Sequence, residues 1–247
     1  MTVRLHLDAP PTPGAACALP EAAVRHAQVR RVQPGSALEL FDGSGRVWPA
    51  TVLAVGRSAL TVRVDAPLEV DRELARPVTL ALGVPANERM DALVEKATEL
   101  GVAAIQPLQT ARSVLRLAGE RAERRRAHWQ AVAVAACEQC GRNRVPRIAP
   151  LLELSDWLAQ LAPAAAHEQR LLLSLDAAAP PLARVDAGRA LVSLSGPEGG
   201  LAPDEQAAAL RSGFAAATLG ARVLRADTAP LALLAWVALG GAPAPGG

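Results

Sequence analysis

The stretch LSGPEGGLAPDE, residues 194–205, places a carboxylate inside a glycine-rich turn that follows a predicted strand. Its glycines allow positive φ angles or a close backbone approach, and Pro203 is typical of the first residue of a helix. A phosphate at that helix end would face Glu198 and the two acids after Pro203, and their charges disfavour it. Neither the dinucleotide fingerprint nor the Walker pattern is present. A cationic or zwitterionic ligand without phosphate, such as S-adenosylmethionine, fits better, and the alternative is a tight turn with surface acids.

Two further loops follow predicted strands in the same part of the chain. LLLSLDAAAP ends its strand near Leu175, and LGARVLRADTAP enters a helix. In the second loop, Leu219 and Leu224 are placed to flank an adenine ring while main-chain groups read its edge. Arg222 and Arg225 are three residues apart, and solvated side chains or a local ion pair are the alternative for them. Because the carboxyl ends of parallel strands meet at one edge of a sheet, the three loops are expected to converge on one pocket.

The segment ACEQCGRNRVPR, residues 136–147, combines a CxxC pair with basic residues. A zinc site needs four ligands, and the sequence offers no second CxxC or histidine pair. A redox CxxC would begin a helix, whereas this one ends a helix, so we expect the pair to serve neither a metal site nor redox chemistry. The basic residues here and in the first part of the chain are candidates for RNA contacts, with structural or solvated roles as the alternative. The expected RNA-binding residues are Arg4, His26, Arg30, Arg31, Arg142, Asn143, Arg144 and Arg222.

Lys96 is the single lysine of a chain with 26 basic residues. It lies in ERMDALVEKATELG, where the apolar residues recur at helical spacing. Lys96 and Glu99 share a face of that helix and are expected to pair. A solvated surface charge is the alternative to a catalytic role.

The composition limits the classes of protein that fit. The 247 residues, 51% of them hydrophobic, suit one large domain or two smaller ones. A formal charge of +2 restricts any nucleic-acid surface to a local patch. Three cysteines argue against a disulfide scaffold. No apolar run reaches the ~20 residues of a membrane span, and the beginning of the chain shows no signal core, so we expect a cytoplasmic protein.

The elements that position these loops change in character along the chain. Residues 1–70 predict short strands and one helix at 21–32, with Asp42–Gly45 as a hairpin loop, which suggests a small barrel. Residues 65–77 are polar and predict a linker. Beyond residue 77, strands alternate with helices, which predicts a mainly parallel α/β sheet. Two of those helices are expected to be capped, one by Ser155 or Asp156 and the last by Asp227 or Thr228.

Five motifs, in their order along the chain, resemble one known family. FDGSG, EKATELGV, ACEQCGRNRVP, GPEGG and LGARVLRADTAP are similar to motifs of the RsmE family of bacterial 16S ribosomal RNA uridine-N3 methyltransferases. The resemblance runs from Arg4 to about Gly240. It implies a PUA-like RNA-binding barrel at 1–70 and a SPOUT methyltransferase domain with a trefoil knot at 77–241. It also implies a homodimer, S-adenosylmethionine as methyl donor, and the small ribosomal subunit as partner.

The resemblance carries site residues onto this chain by position. One departure is that Ala226 and Asp227 stand where the family usually shows Thr and Glu. The cofactor-binding residues would be Leu175, Leu194, Gly196, Pro197, Gly199, Gly200, Leu219, Gly220, Val223 and Leu224.

Methylation of uridine N3 requires that nitrogen to lose its proton, and positive groups near the base oxygens would stabilise the developing anion. The expected catalytic residues are Arg225, Lys96 and Arg142, with Arg222 as a further cation and Glu198 as a group for the proton or the sulfonium charge. Three other functions remain open: ribose 2′-O methylation, RNA binding without catalysis in ribosome assembly, and a small-molecule α/β enzyme.

Overall fold

The computed structural model describes residues 2–56, 59–86, 89–176, 178–185 and 190–240. The chain divides into two compact units. The first comprises Met1–Glu73 with Val134–Val145, and the second comprises Leu74–Ala133 with Pro146–Gly247. The boundaries expected at residues 70 and 77 remain predictions.

The first unit contains one six-stranded sheet and one helix. β1 runs parallel to β3, the neighbours β3, β4, β5 and β2 follow one another antiparallel, and β6 pairs with the start of β4. The predicted hairpin and helix are present, whereas β2 and β6 were not predicted, and β6 lies inside the expected linker. The elements are β1 Val3–His6, β2 Ala16–Leu19, α1 Glu21–Val29, β3 Ala37–Phe41, β4 Arg46–Val55, β5 Leu60–Val64 and β6 Leu68–Glu69.

The second unit is a seven-stranded parallel sheet with the order β10-β8-β7-β12-β11-β13 and with β9 beside β8. This arrangement confirms the predicted α/β class. The elements that follow β6 are β7 Val78–Gly83, α2 Arg89–Glu99, β8 Ala104–Gln109, α3 Gly119–Cys140, β9 Arg147–Ile148, β10 Leu152–Glu153, α4 Leu154–Gln160, β11 Glu168–Leu173, a 3₁₀ helix Leu182–Arg184, β12 Ala190–Ser195, α5 Pro203–Arg211, β13 Ala215–Ala217 and α6 Thr228–Ala238. The end of α3, from Val134 onward, belongs to the first unit.

The central strand β12 has two different faces because successive side chains point to opposite sides of a sheet. Val192 and Leu194 pack into a hydrophobic cluster with Trp157 of α4 and Phe214. Ser193 and Ser195 take the opposite face, and both are buried. Among the residues that the structure describes, no helix combines the length and the apolarity needed to cross a membrane.

The two predicted helix caps do not form as expected. α4 begins at Leu154, one residue before Ser155, because β10 runs directly into the helix and leaves Glu153 at the cap position. Asp227 does occupy the position before α6, but its backbone is helical (φ −81°, ψ −33°) and its side chain makes no capping hydrogen bond.

Candidate functional site

A cleft of about 320 Å³ opens in the second unit, where the carboxyl ends of β11 and β12 meet the loop after β13. Its volume lies in the range of roughly 300–1,000 Å³ that small-molecule sites occupy. The three loops singled out in the sequence all contribute to its lining, and Arg89 at the start of α2 completes it. The structure therefore brings these loops together, as the parallel arrangement of their strands requires.

Most of the residues expected to bind cofactor lie in this cleft. Six lining residues were not predicted: Arg89, Leu173, Ser174, Ser195, Ala226 and Ala229. The predicted residues that line it are Leu175, Gly196, Pro197, Glu198, Gly200, Leu219, Gly220, Arg222, Val223, Leu224 and Arg225.

Leu194 and Gly199 are not part of the lining. Leu194 is fully buried on the opposite face of β12, so the alternation of the strand turns its side chain away from the cleft. Gly199 faces Arg112 instead, since a Cβ at this glycine would lie 3.1 Å from the Cβ of Arg112. The guanidinium of Arg112 also donates to the carbonyl oxygen of Gly199 at 2.8 Å. The position of Leu194 does not support the expected cofactor contact, because its neighbour Ser195 lines the cleft and Leu194 does not.

The turn after β12 is closed too tightly to admit side chains at two glycines. A Cβ on Gly196 would lie 2.5 Å from the carbonyl carbon of Gly200. A Cβ on Gly83, at the end of β7, would lie 2.4 Å from the Cδ of Pro197. Gly200 has a φ of +68°, the left-handed region that favours glycine. These contacts fix the backbone of the turn against the neighbouring strand.

Glu198 is held by groups that follow β7. Its Oε1 accepts hydrogen bonds from the amide of Ala86 at 3.0 Å and from Nη1 of Arg89 at 3.3 Å. The carboxylate therefore ties the glycine-rich turn to the beginning of α2. This places Glu198 at the rim of the cleft as a paired charge.

The other two acids of the stretch do not face the cleft. Glu205 accepts hydrogen bonds from the amides of Ala111 and Ala202, both at 2.8 Å, and neither Glu205 nor Asp204 is part of the lining. Of the three acids in this stretch, Glu198 alone contributes its charge to the lining of the cleft. The charged lining side chains are instead three arginines and one glutamate, which leaves the cleft rim positive: Arg89, Arg222, Arg225 and Glu198.

Lys96 lies on the exposed face of α2 and is not part of the cleft lining. Its Nζ donates to Glu95 at 2.7 Å and to Glu99 at 2.9 Å, which confirms the predicted pair. The hydrogen bonds to Glu95 and then Glu99 raise the pKa of the lysine well above its usual value. The ammonium is thus engaged by its own helix, and the structure gives no support for its expected catalytic role.

Three of the residues expected to contact RNA are buried inside the first unit. Arg4, Arg142 and Asn143 are exposed by only 6%, 3% and 2%. Arg4 pairs with Glu39 and donates to the carbonyl oxygen of Arg142 at 3.0 Å and to Oδ1 of Asn143 at 2.6 Å. Arg142 in turn pairs with Glu73. Because buried charges need partners, these residues form a structural network, and their expected RNA contacts are not supported by their position.

The other expected RNA-binding residues whose side chains the structure describes are exposed, unlike these three. Arg30, Arg31 and Arg144 are exposed in the first unit, and Arg222 is exposed at the cleft. Arg144 lies over the FDGSG loop, where a Cβ on Gly45 would be 2.9 Å from its guanidinium. The side chain of His26 lies outside the described residues.

Cys137 of the CxxC pair is fully buried, and its Sγ lies 3.5 Å from the carbonyl oxygen of Arg144. Burial raises the pKa of this thiol from 9.0 to about 12. Since the thiolate is the form that binds metals and attacks disulfides, its position favours packing over chemistry.

Comparison with known proteins adds a family to this geometry. The chain matches the RNA methyltransferase domain over residues 72–238 and the RNA methyltransferase PUA domain over residues 19–65. It is 35% identical over 205 residues to the ribosomal RNA small subunit methyltransferase E of Mycobacterium bovis, covering 82% of this chain and 78% of that one. The protein of the same name from Bacillus subtilis is 32% identical over 208 residues, covering 82% and 81%. A crystal structure of a ribosomal RNA small subunit methyltransferase E from Neisseria gonorrhoeae, bound to S-adenosyl methionine, aligns with a TM-score of 0.88 and 34% identity, covering 95% of this chain and 96% of that one.

Proposed function

We propose, because the chain belongs to the family of ribosomal RNA small subunit methyltransferase E, that it transfers a methyl group from S-adenosylmethionine to the RNA of the small ribosomal subunit. Family membership confirms the expected PUA-like N-terminal domain and SPOUT-type α/β domain, while the trefoil knot remains a prediction. The observation that carries the proposal is the cleft formed by three loops at the carboxyl ends of parallel strands.

The residues of the cleft fit a cofactor with an aromatic nucleoside and a zwitterionic tail. Leu175 and Val223 are 71% and 80% exposed although both are apolar, and both line the cleft. Together with Leu219 and Leu224 they offer apolar surfaces for an adenine ring. The guanidinium of Arg89, partly exposed at the rim, suits the carboxylate of the tail. When bound, S-adenosylmethionine supplies an electrophilic methyl group on its sulfonium.

Side chains at the cleft rim would bind the substrate base and stabilise the negative charge that develops on it. We propose uridine N3 as the methylated atom, in keeping with the family resemblance. Arg225 and Arg222 are exposed at the cleft rim, where they stabilise negative charge on the base oxygens as N3 loses its proton. Glu198 is already bonded to Ala86 and Arg89, so its proposed role is to keep the turn in place.

We propose RNA binding for the barrel at residues 1–70, with Arg30, Arg31 and Arg144 of the first unit as phosphate contacts, and a cytoplasmic location beside the ribosome. Exposed arginines neutralise RNA phosphates, whereas the buried Arg4 and Arg142 are already paired with carboxylates. The proposed RNA surface therefore uses only the exposed basic residues.

We further propose that the protein is a homodimer through α6. This helix, TAPLALLAWVA, contains no charged residue, and a helix apolar all round is normally buried on all sides. Yet Leu231 and Trp236 are only partly buried, and Leu239 just beyond its end is 89% exposed. A second copy of the chain would cover this face, which size-exclusion chromatography with light scattering would detect.

The proposed reaction is tested with purified protein, tritiated S-adenosylmethionine and small ribosomal subunits from cells that lack this modification. We expect label in the RNA of the small subunit, and nucleoside mass spectrometry should find it as N3-methyluridine. A ribose-methylated nucleoside would instead assign the 2′-oxygen. RNA binding without label would identify a non-enzymatic factor and reject the proposal.

A further inference from the structure

Ser195 places a buried hydroxyl in the lining of the cleft. The residue is 4% exposed and ends β12, directly before the glycine-rich turn. Its Oγ has no hydrogen-bond partner among the residues that the structure describes, and Ser195 is part of the cleft lining. A buried hydroxyl left without a partner costs roughly 1–3 kcal/mol. A ligand in the cleft that bonds to Oγ would remove this cost.

The depth of Ser195 limits which part of a ligand reaches it. Ser195 and Pro197 are the buried members of the lining, whereas Arg222 and Arg225 are exposed and Arg89 is partly exposed. Charged groups are costly to bury, so the carboxylate and ammonium of a cofactor stay with the charged rim. The part that reaches the floor is uncharged, and in S-adenosylmethionine that part is the nucleoside.

We propose that the Ser195 hydroxyl makes a direct hydrogen bond to the nucleoside part of the cofactor, an inference that rests on the proposed function. The hydroxyl both donates and accepts, which suits the hydroxyls and ring nitrogens of a nucleoside. Ser195 therefore selects the cofactor by its nucleoside and not by its amino-acid end.

The same strand supplies a matched control. Ser193 is fully buried, lies on the same face of β12, and its Oγ also has no partner among the described residues. Unlike Ser195, it is not part of the cleft lining. Ser193→Ala and Ser195→Ala thus each remove a buried hydroxyl from the same face of one strand, and of these two residues only Ser195 lines the cleft.

The experiment measures the dissociation constants of S-adenosylmethionine and of 5′-methylthioadenosine, which lacks the amino-acid end, by calorimetry and competition. We expect Ser195→Ala to weaken both ligands by the same factor, about 2-fold to 13-fold, the contribution of one uncharged hydrogen bond. Ser193→Ala should leave both constants unchanged. Neither variant should melt at a lower temperature than the wild type, because neither hydroxyl bonds to any residue in the part of the chain that the structure describes.

The alternative outcomes separate this inference from the proposed function. If the wild type binds S-adenosylmethionine and Ser195→Ala binds it equally well, the inference is overturned while the function stands. Weaker binding of S-adenosylmethionine alone would place the hydroxyl at the amino-acid end and also overturn it. If the two serine variants lose affinity equally, a change in β12 and not the loss of a hydrogen bond to the cofactor would explain the result, and the inference would be overturned. A wild type that binds neither ligand would reject the proposed function, and the inference with it.

Discussion

Replacing Gly196 with alanine should weaken the binding of the cofactor without unfolding the protein. A Cβ at this position would lie 2.5 Å from the carbonyl carbon of Gly200 and 2.6 Å from the amide nitrogen of Leu201. Ordinary contact begins at 3.4 Å, so the backbone must retreat by about 0.9 Å, the difference between 3.4 and 2.5 Å. The atoms that the Cβ would meet belong to the main chain of Gly200 and Leu201, so the backbone of the turn that lines the cleft must move.

Two magnitudes follow from that displacement. Overpacking of this kind costs about 1–3 kcal/mol, and each kcal/mol lowers the melting temperature of a domain of 150–250 residues by roughly 2–4 °C. Gly196→Ala should therefore melt roughly 2–12 °C below the wild type and remain folded at room temperature. A misplacement near 1 Å in a site costs on the order of 100-fold in rate. We expect S-adenosylmethionine to bind at least about tenfold more weakly by calorimetry.

Gly213→Ala provides a control with a comparable loss of stability. Gly213 has a φ of +86°, and no described heavy atom lies within 4 Å of a Cβ built there. Left-handed backbone costs a non-glycine residue about 1–2 kcal/mol, but Gly213 is not part of the cleft lining. Cofactor affinity should be unchanged in this variant. Wild-type affinity in Gly196→Ala, or an equal loss in both variants, would refute the assignment of the turn to the cofactor.

Three further substitutions test the network, the lysine and the buried thiol. Arg4→Ala removes the partner of the partly exposed Glu39 carboxylate and the donor to two buried acceptors, the carbonyl oxygen of Arg142 and Oδ1 of Asn143, and should lose about 1–3 kcal/mol in urea unfolding, against less than about 0.5 kcal/mol for the exposed Arg30→Ala; equal losses would contradict the network. Lys96→Met should methylate RNA within twofold of the wild-type rate, because two glutamates of its own helix hold the ammonium, and a loss of turnover at unchanged cofactor affinity would restore its catalytic role. Cys137 releases its proton later in the folded chain than in the unfolded one, so the stability it contributes is complete below pH 9 and is lost as the pH rises toward about 12. Cys137→Ala should flatten this alkaline loss in urea titrations, and an unchanged pH profile would show that the thiol does not cause it.

The features predicted well from the sequence are those that depend on local pattern. Strands alternating with helices after residue 77 indicated the parallel sheet, and the order of strand ends indicated one shared cleft. β2 escaped prediction because ACAL contains no β-branched or aromatic residue. β6 escaped because two residues, Leu68–Glu69, are too few to show a period.

The direction of side chains on β12 was not available from the sequence. Both faces of a central parallel strand are covered, so its residues read as one apolar run and the period that would separate the faces is weak. The sequence argument names Leu194 and not Ser195 as a cofactor contact, whereas the structure places Leu194 in the hydrophobic core and Ser195 in the cleft lining. One register step along a strand is enough to exchange a core residue for a site residue.

Buried arginines were the other feature that local reading missed. Arginine is usually exposed, and the sequence argument therefore predicts RNA contacts for Arg4 and Arg142. Their partners, Glu39 and Glu73, lie 35 and 69 residues away in the chain, and no spacing rule connects residues so distant. The asparagine between the basic residues, Asn143, donates to the carbonyl oxygen of Val70 at 3.0 Å and belongs to the same network.

The charge of Glu198, in the glycine-rich turn, has a different significance once its partner is known. In the sequence, the charge of Glu198 disfavours a bound phosphate if the carboxylate has no partner. In the structure that charge is paired with Arg89, and the rim retains Arg222 and Arg225, so charge alone no longer excludes an anion. The turn itself is held by contacts within the protein: the Glu198 carboxylate accepts from the amide of Ala86, and Pro197 packs closely against Gly83. A turn already in place adds little ordering cost to binding, so the affinity of this cleft depends on contacts at its floor and rim.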